Sequence, residues 1–224
     1  MKEIHIAGWQ ELLTAFGSFA KSWYRGVSHS TYDLIPKVGR GARYVNSRTE
    51  QYFLELFQKY SLPYLTHIPT NKWEWLALAQ HHGLATRFLD WTRNPLIATY
   101  FAVEKEILED AAVYIVQFST LQAVDIINDP DPFKVKQISS FVPPHLSSRI
   151  IVQSGILTIH PNPMEAFKDS AMIKLIIPAS KRFEFKENLQ DFGIARFSLF
   201  PELDGVAEHL NFLLTRARKQ NDRT

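Results

Sequence analysis

An α+β fold is what this sequence predicts, with a helix-rich N-terminal half packed on a mainly antiparallel sheet drawn from the C-terminal half. Three observations carry the expectation. Apolar residues recur at helical spacing through much of the first half. β-branched and aromatic runs gather after Ala111, Ala112–Phe118 being the clearest. The two kinds of segment do not alternate as repeated βαβ units would.

Taken in order, Ile4 and Ile6 flank His5 as a short strand, and a helix follows from Gln10 to Phe19. Trp23–Val27 reads as a strand interrupted by Gly26, and Ser28–Arg43 as a loop punctuated by Pro36, Gly39 and Gly41. Thr49 is placed to cap a helix over Glu50–Tyr60, whose Phe53, Leu54 and Phe57 share one face. Lys72–His81 forms the next helix, with Gly83 closing it, and Pro95 opens another over Leu96–Glu106. The stretch between those last two helices reads as a connecting loop. Beyond Ala111, strands are expected over Ala112–Phe118, Ile150–Ile159, Met172–Ile177 and, briefly, Ser198–Phe200. Helices are expected over Phe183–Asp191 and Glu202–Arg218. With no repeat, linker or low-complexity tract in view, residues 1–224 read as one domain.

Composition narrows the possible functions. Of 224 residues, 46% are hydrophobic and 13% aromatic, enough to bury a substantial core. Lys and Arg number 25 against 23 Asp and Glu, so no broad field attracts nucleic acid or a membrane, and anion binding has to be local. There are no cysteines, which removes disulfides, thiolate metal sites and a cysteine nucleophile and suits a cytoplasmic setting. The acids in the first sixteen residues argue against a secretory signal, and no run of eighteen apolar residues offers a membrane span.

The densest chemistry lies in "LALAQHHGLATRFLDWTRNPLIATYFA", Leu76–Ala102. Gln80, His81, His82, Thr86, Arg87, Asp90 and Thr92 interrupt residues that belong in a core. Buried polar groups cost stability unless partnered, so the cluster needs internal hydrogen bonds or a ligand. An Arg87–Asp90 pair that merely fixes the loop is an equal reading. Adjacent His81 and His82 diverge by about 100° on a helix and make a poor metal pair, so no metal site is expected. Arg25, between Tyr24 and Gly26, is the second focus, because a guanidinium matches phosphate oxygens bidentately. An ion pair with Asp90 or Glu50 is the structural alternative.

Tyr24-Arg25-Gly26, "QHHGLATRFLDWT", "QSGILTIH" and "SLFPELDG", in that order, resemble the FRG domain, a bacterial family. Tyr24 stands where that family usually has Phe, His82 where it has an aromatic residue, and Ala85 where it has Pro. More distantly, "WYRGVS" resembles the first motif of Arg-Ser-Glu ADP-ribosyltransferases, and Gln153–Thr158 their Ser-Thr-Ser strand. That resemblance implies an ADP-ribosyltransferase-like fold and NAD as co-substrate. It implies that Arg25 and Gly26 meet the phosphates, that Ser154 lines the nicotinamide pocket, and that Glu202 stabilises the developing sugar cation. Gln80, His81, Arg87 and Asp90 complete the expected cofactor site without assigned roles. "MIKLIIP" resembles the strand that usually carries the glutamate, yet it offers Lys174. The implied function is transfer of ADP-ribose to an unidentified macromolecule, as in a toxin or defence effector. The alternative is a non-catalytic nucleotide- or partner-binding module; a hydrolase using His81 and Asp90 is the remote third.

Overall fold

The computed structural model describes residues 1–19, 21–41, 46–117, 121–143 and 155–221. In chain order the elements are β1 (Lys2–His5), α1 (Trp9–Gly17), β2 (Ser22–Val27), α2 (Ser47–Ser61), α3 (Lys72–His81), β3 (Phe88–Thr92) and α4 (Pro95–Val103). They continue as β4 (Ala111–Gln117), β5 (Ser139–Phe141), β6 (Gly155–Ile159), β7 (Ile173–Ile177), α5 (Arg182–Asp191), α6 (Arg196–Leu199) and α7 (Leu203–Asn221). All seven strands join one mixed sheet in the order β1-β7-β4-β2-β3-β6-β5. β1 runs parallel to β7, and every other strand pairing is antiparallel.

The architecture is α+β, but the expected division into a helical half and a strand half does not hold. Strands β1, β2 and β3 come from the first half, β2 and β3 occupy the middle of the sheet, and the second half supplies α5, α6 and α7. The main reason is β3. Phe88, Leu89, Trp91 and Thr92 are buried around an exposed Asp90, so the segment is a strand covered on both faces and shows no simple alternation. It pairs with β6 over five residues, from Phe88↔Ile159 to Thr92↔Gly155. β5 is three residues long, too short to announce itself. Ser198–Phe200 is not a strand: Ser198 Oγ accepts from Ala195 N–H at 3.0 Å and caps the single turn of α6. The strand expected over Ile150–Ile159 is described from Gly155 onward; its first five residues lie outside the described set.

Helix starts follow side-chain caps. Asn46 Oδ1 accepts from Thr49 N–H at 3.1 Å, so the cap of α2 lies three residues before the one expected at Thr49. Asn71 accepts from Glu74 N–H at 3.0 Å while the Glu74 carboxylate accepts from Thr70 N–H at 2.7 Å, a reciprocal cap on α3. At its other end Gly83 takes φ +89° and Leu84 N–H reaches Ala79 O at 2.9 Å, closing the helix in the left-handed turn expected there.

The β2–β4–β7 part of the sheet is buried on both faces. On one face Tyr24, Val113 and Leu175 pack with Leu12, Ile97, Phe185 and Leu189 from α1, α4 and α5. Trp23, Ala112, Tyr114 and Val116 point the other way, with Leu89, Trp91 and Ile156. A second helical layer, α2 and α3, packs Leu54, Trp73 and Leu76 on Phe88, Phe141 and Leu157. Arg182, 3% exposed, ties this frame together: it donates to Ala102 O, Lys105 O and Glu109 O at 2.9–3.1 Å, and to Ser28 O where the chain leaves β2. Its charge thereby satisfies carbonyls at the end of α4 that have no helical partner.

Candidate functional site, a cleft where two central strands part

β2 pairs with β4 through six residues, from Ser22 to Val27, but with β3 only at Tyr24↔Thr92. The sheet therefore opens at its centre immediately after that contact. The Arg25 guanidinium bridges the opening: Nη1 donates to Asp90 O at 2.6 Å and lies 3.5 Å from the Asp90 carboxylate. The rest of the fork is unused. Among the described residues, Arg25 Nε is buried without a hydrogen-bond partner and no acceptor is within hydrogen-bond reach of Nη2. This answers the question raised by Arg25: it is neither fully neutralised nor open to bulk solvent, its side chain being 14% exposed.

The opening leads into a cleft of about 1000 Å³, at the upper end of the range for small-molecule sites. Arg25, Gly26, Gln80, His81 and Asp90 all line it. Arg87 does not. It is 0% exposed and points into the layer between α2 and β3, donating from Nη2 to Glu50 Oε1 (2.9 Å) and Ser47 Oγ (2.8 Å), and from Nε to Glu50 Oε2 (3.1 Å). With Pro161 O at 3.4 Å from Nη1 and the Phe133 ring 5.1 Å from the guanidinium carbon, its donors are committed to the frame. Its partner is Glu50 rather than Asp90. Glu202 is exposed at the start of α7 and does not line the cleft; its carbonyl accepts from Val206 N–H in the first turn. Ser154 lies outside the described residues, while its neighbour Gly155 lines the cleft. Lys174, in the strand that offered no glutamate, is paired with Glu3 at 2.8 Å.

Gly26 serves the cleft indirectly. A Cβ there would collide with Ala98 O and come within 2.6 Å of Ala102 N, so the missing side chain lets α4 lie directly on β2. Close approach of a helix, not of a ligand, is what requires glycine here.

Sequence reasoning missed Arg40, which follows the single turn at Lys37–Gly39 and also lines the cleft. Its Nε donates to Ile35 O at 2.8 Å. Burial, and then the positive charge of Arg25, push its pKa down, while Asp90 opposes the shift. Two guanidinium groups thus face one carboxylate in the cleft. Its only sequence signal was an arginine between Gly39 and Gly41 in a loop. Among the cleft-lining residues Arg25, Arg40 and Lys105 are cationic against Asp33 and Asp90. Tyr32, 47% exposed, stacks on His29 with ring centroids 4.3 Å apart and adds an aromatic wall.

Behind Arg25 lies a buried polar chain. Trp91 Nε1–H donates to Thr158 Oγ1 at 3.0 Å, and the Thr158 hydroxyl is hydrogen-bonded to His160 Nε2 at 2.9 Å. Burial, with the nearby Arg25 charge adding to it, lowers the His160 pKa from 6.5 to about 4. The unfolded chain therefore binds this proton first, and stability falls as the pH drops from 6.5 toward 4. The loss through this one group reaches about 3 kcal/mol. His160→Gln removes the titration, so urea midpoints at pH 7 and pH 4.5 are expected to differ less in the variant than in the natural chain. Equal shifts in both would assign the acid sensitivity elsewhere.

Among the described residues no group of three or more His, Asp or Glu side chains is placed to hold a metal ion. No described helix is long and apolar enough to cross a membrane.

Residues 20–111 match the family model described as FRG domain. The span runs from just before β2 to the first residue of β4 and so contains Arg25, Gly26, Arg40, Gln80, His81, Arg87 and Asp90. Glu202 and Ser154 fall beyond it. No curated protein and no solved structure matches the chain.

Proposed function

We propose that the cleft binds an anionic nucleotide, with NAD the ligand it suits, and that Arg25 is the principal phosphate contact with Arg40 beside it. One observation carries the reading: Arg25 is held by a backbone carbonyl while Nε and Nη2 have no partner among the described residues. Nη2, unlike the buried Nε, is not sealed from solvent and can donate a charge-assisted hydrogen bond to a phosphate oxygen. The cleft's volume, its Arg25–Arg40 pair and its Tyr32 wall support a ligand with phosphates and aromatic rings.

Between the transferase implied by resemblance and the non-catalytic alternative, the geometry favours the nucleotide-binding module over a transferase that depends on Glu202, because that carboxylate is outside the cleft. Transfer of ADP-ribose to a macromolecular acceptor stands as the second reading, favoured by a different carboxylate: Asp90 lines the cleft next to Arg25 with its side chain 59% exposed. A fixed carboxylate there is able to stabilise positive charge on a breaking glycosidic bond.

Calorimetric titration with NAD tests the binding claim. The natural chain is expected to bind, and Arg25→Ala to weaken binding by about ten- to a hundredfold, the value of one or two charge-assisted hydrogen bonds. Equal affinities would remove Arg25 from the site. Nicotinamide release by the natural chain would favour the second reading over the first.

A further inference from the structure

A chain of hydrogen bonds fixes the direction of the Asp90 carboxylate. Gln80 Nε2–H donates to Asp90 Oδ2 at 2.8 Å, and the Thr86 hydroxyl donates to Gln80 Oε1 at 2.5 Å. Thr86 Oγ1, 1% exposed, itself accepts from Phe88 N–H at 3.2 Å at the start of β3. The backbone thus orients a hydroxyl, the hydroxyl orients an amide, and the amide orients a carboxylate. Gln80 has only one consistent orientation in this chain. Asp90 Oδ2 is spoken for, but Oδ1 has no partner among the described residues, on a side chain that is 59% exposed in the cleft. Arg25 does not hold the carboxylate tightly: its short bond goes to the Asp90 carbonyl and the carboxylate is 3.5 Å away.

Free donors on Arg25 and a free, fixed acceptor on Asp90 therefore stand side by side. A ligand that satisfies both must present an anion next to hydroxyl donors. A ribose beside its phosphate does so, and a carboxylate oxygen is a strong acceptor for a sugar hydroxyl.

We infer that Asp90, positioned through Gln80 and Thr86, binds the hydroxyls of the ribose adjoining the Arg25-bound phosphate, so that the site selects ribonucleotides over their deoxy counterparts. The inference rests on the nucleotide reading above and adds its substrate class. It also accounts for the grouping of Gln80, Thr86 and Asp90 in one stretch without invoking a metal or a nucleophile.

Calorimetry with NAD and two analogues, each lacking the 2′-hydroxyl of one ribose, tests it on the natural chain and on Asp90→Asn. In the natural chain at least one analogue is expected to bind about tenfold more weakly than NAD. In Asp90→Asn the difference should shrink below threefold, while NAD binding persists because the variant removes a negative charge beside a phosphate. Gln80→Leu, which lets the carboxylate rotate, should reduce the discrimination without abolishing NAD binding. Both analogues binding the natural chain as well as NAD does would overturn the inference and leave the nucleotide reading intact. So would an Asp90→Asn protein that keeps the tenfold preference or binds nothing. Absence of NAD binding to the natural chain would overturn both.

Discussion

Replacing Glu50 with alanine is expected to lower the free energy of unfolding by about 3–5 kcal/mol, a large part of what a domain of ordinary stability has. The Arg87 guanidinium is 0% exposed, and Glu50 supplies both carboxylate oxygens to it at 2.9 and 3.1 Å. Removing the carboxylate strands a positive charge in a layer otherwise formed by Leu54, Trp73, Phe88 and Phe133. Arg87→Ala is expected to cost a similar amount, from the stranded carboxylate and a sizeable cavity. The paired apolar replacement, Glu50→Leu with Arg87→Met, leaves no buried charge and should recover much of the loss, although Ser47 and Pro161 O lose their partner. Urea unfolding of the three proteins decides. Single variants within about 1 kcal/mol of the natural chain would mean that water reaches the pair.

Gly26→Ala is the second large effect, expected to cost about 3 kcal/mol or more. The added carbon would overlap Ala98 O and lie 2.6 Å from Ala102 N and 2.9 Å from Ala98 C. All three atoms belong to the α4 backbone, which has no rotamer to escape into. α4 itself is pinned, with Ile97, Ala98, Tyr100 and Ala102 each no more than 3% exposed. Overpacking of that kind typically costs 1–3 kcal/mol when side chains give way, and more when a helix has to move. For a chain of this size the melting temperature should fall by about 6–12 °C. An unchanged melting temperature would show that α4 is free to slide on β2, contrary to the frame described above.

These two positions also show what could be read from the sequence and what could not. α2, α3 and α4 were legible because caps, prolines and closing glycines act locally. β3 was not, since a strand buried on both faces with Asp90 at its centre carries no period, and it follows a helix closely enough to pass for a turn. The polar interruptions in Leu76–Ala102 correctly marked a special region, yet the same signal covered two different fates. Gln80, His81 and Asp90 line the cleft, whereas Arg87 turns inward to Glu50, a partner 37 residues away that no local pattern can supply. Arg40 was invisible for the converse reason: only the folded loop brings it near Arg25 and Asp90. Glu202 is singled out by resemblance alone, and an exposed acid immediately before α7 needs no explanation beyond its favourable place at a helix N-terminus.

A structure of the chain with ADP-ribose bound is the most direct measurement. The account predicts phosphate oxygens about 2.7–3.0 Å from Arg25 Nε or Nη2, with Asp90 Oδ1 on a ribose hydroxyl and Gln80 still in place. A ligand seated elsewhere, with the Arg25 fork still bonded only to Asp90 O, would contradict it.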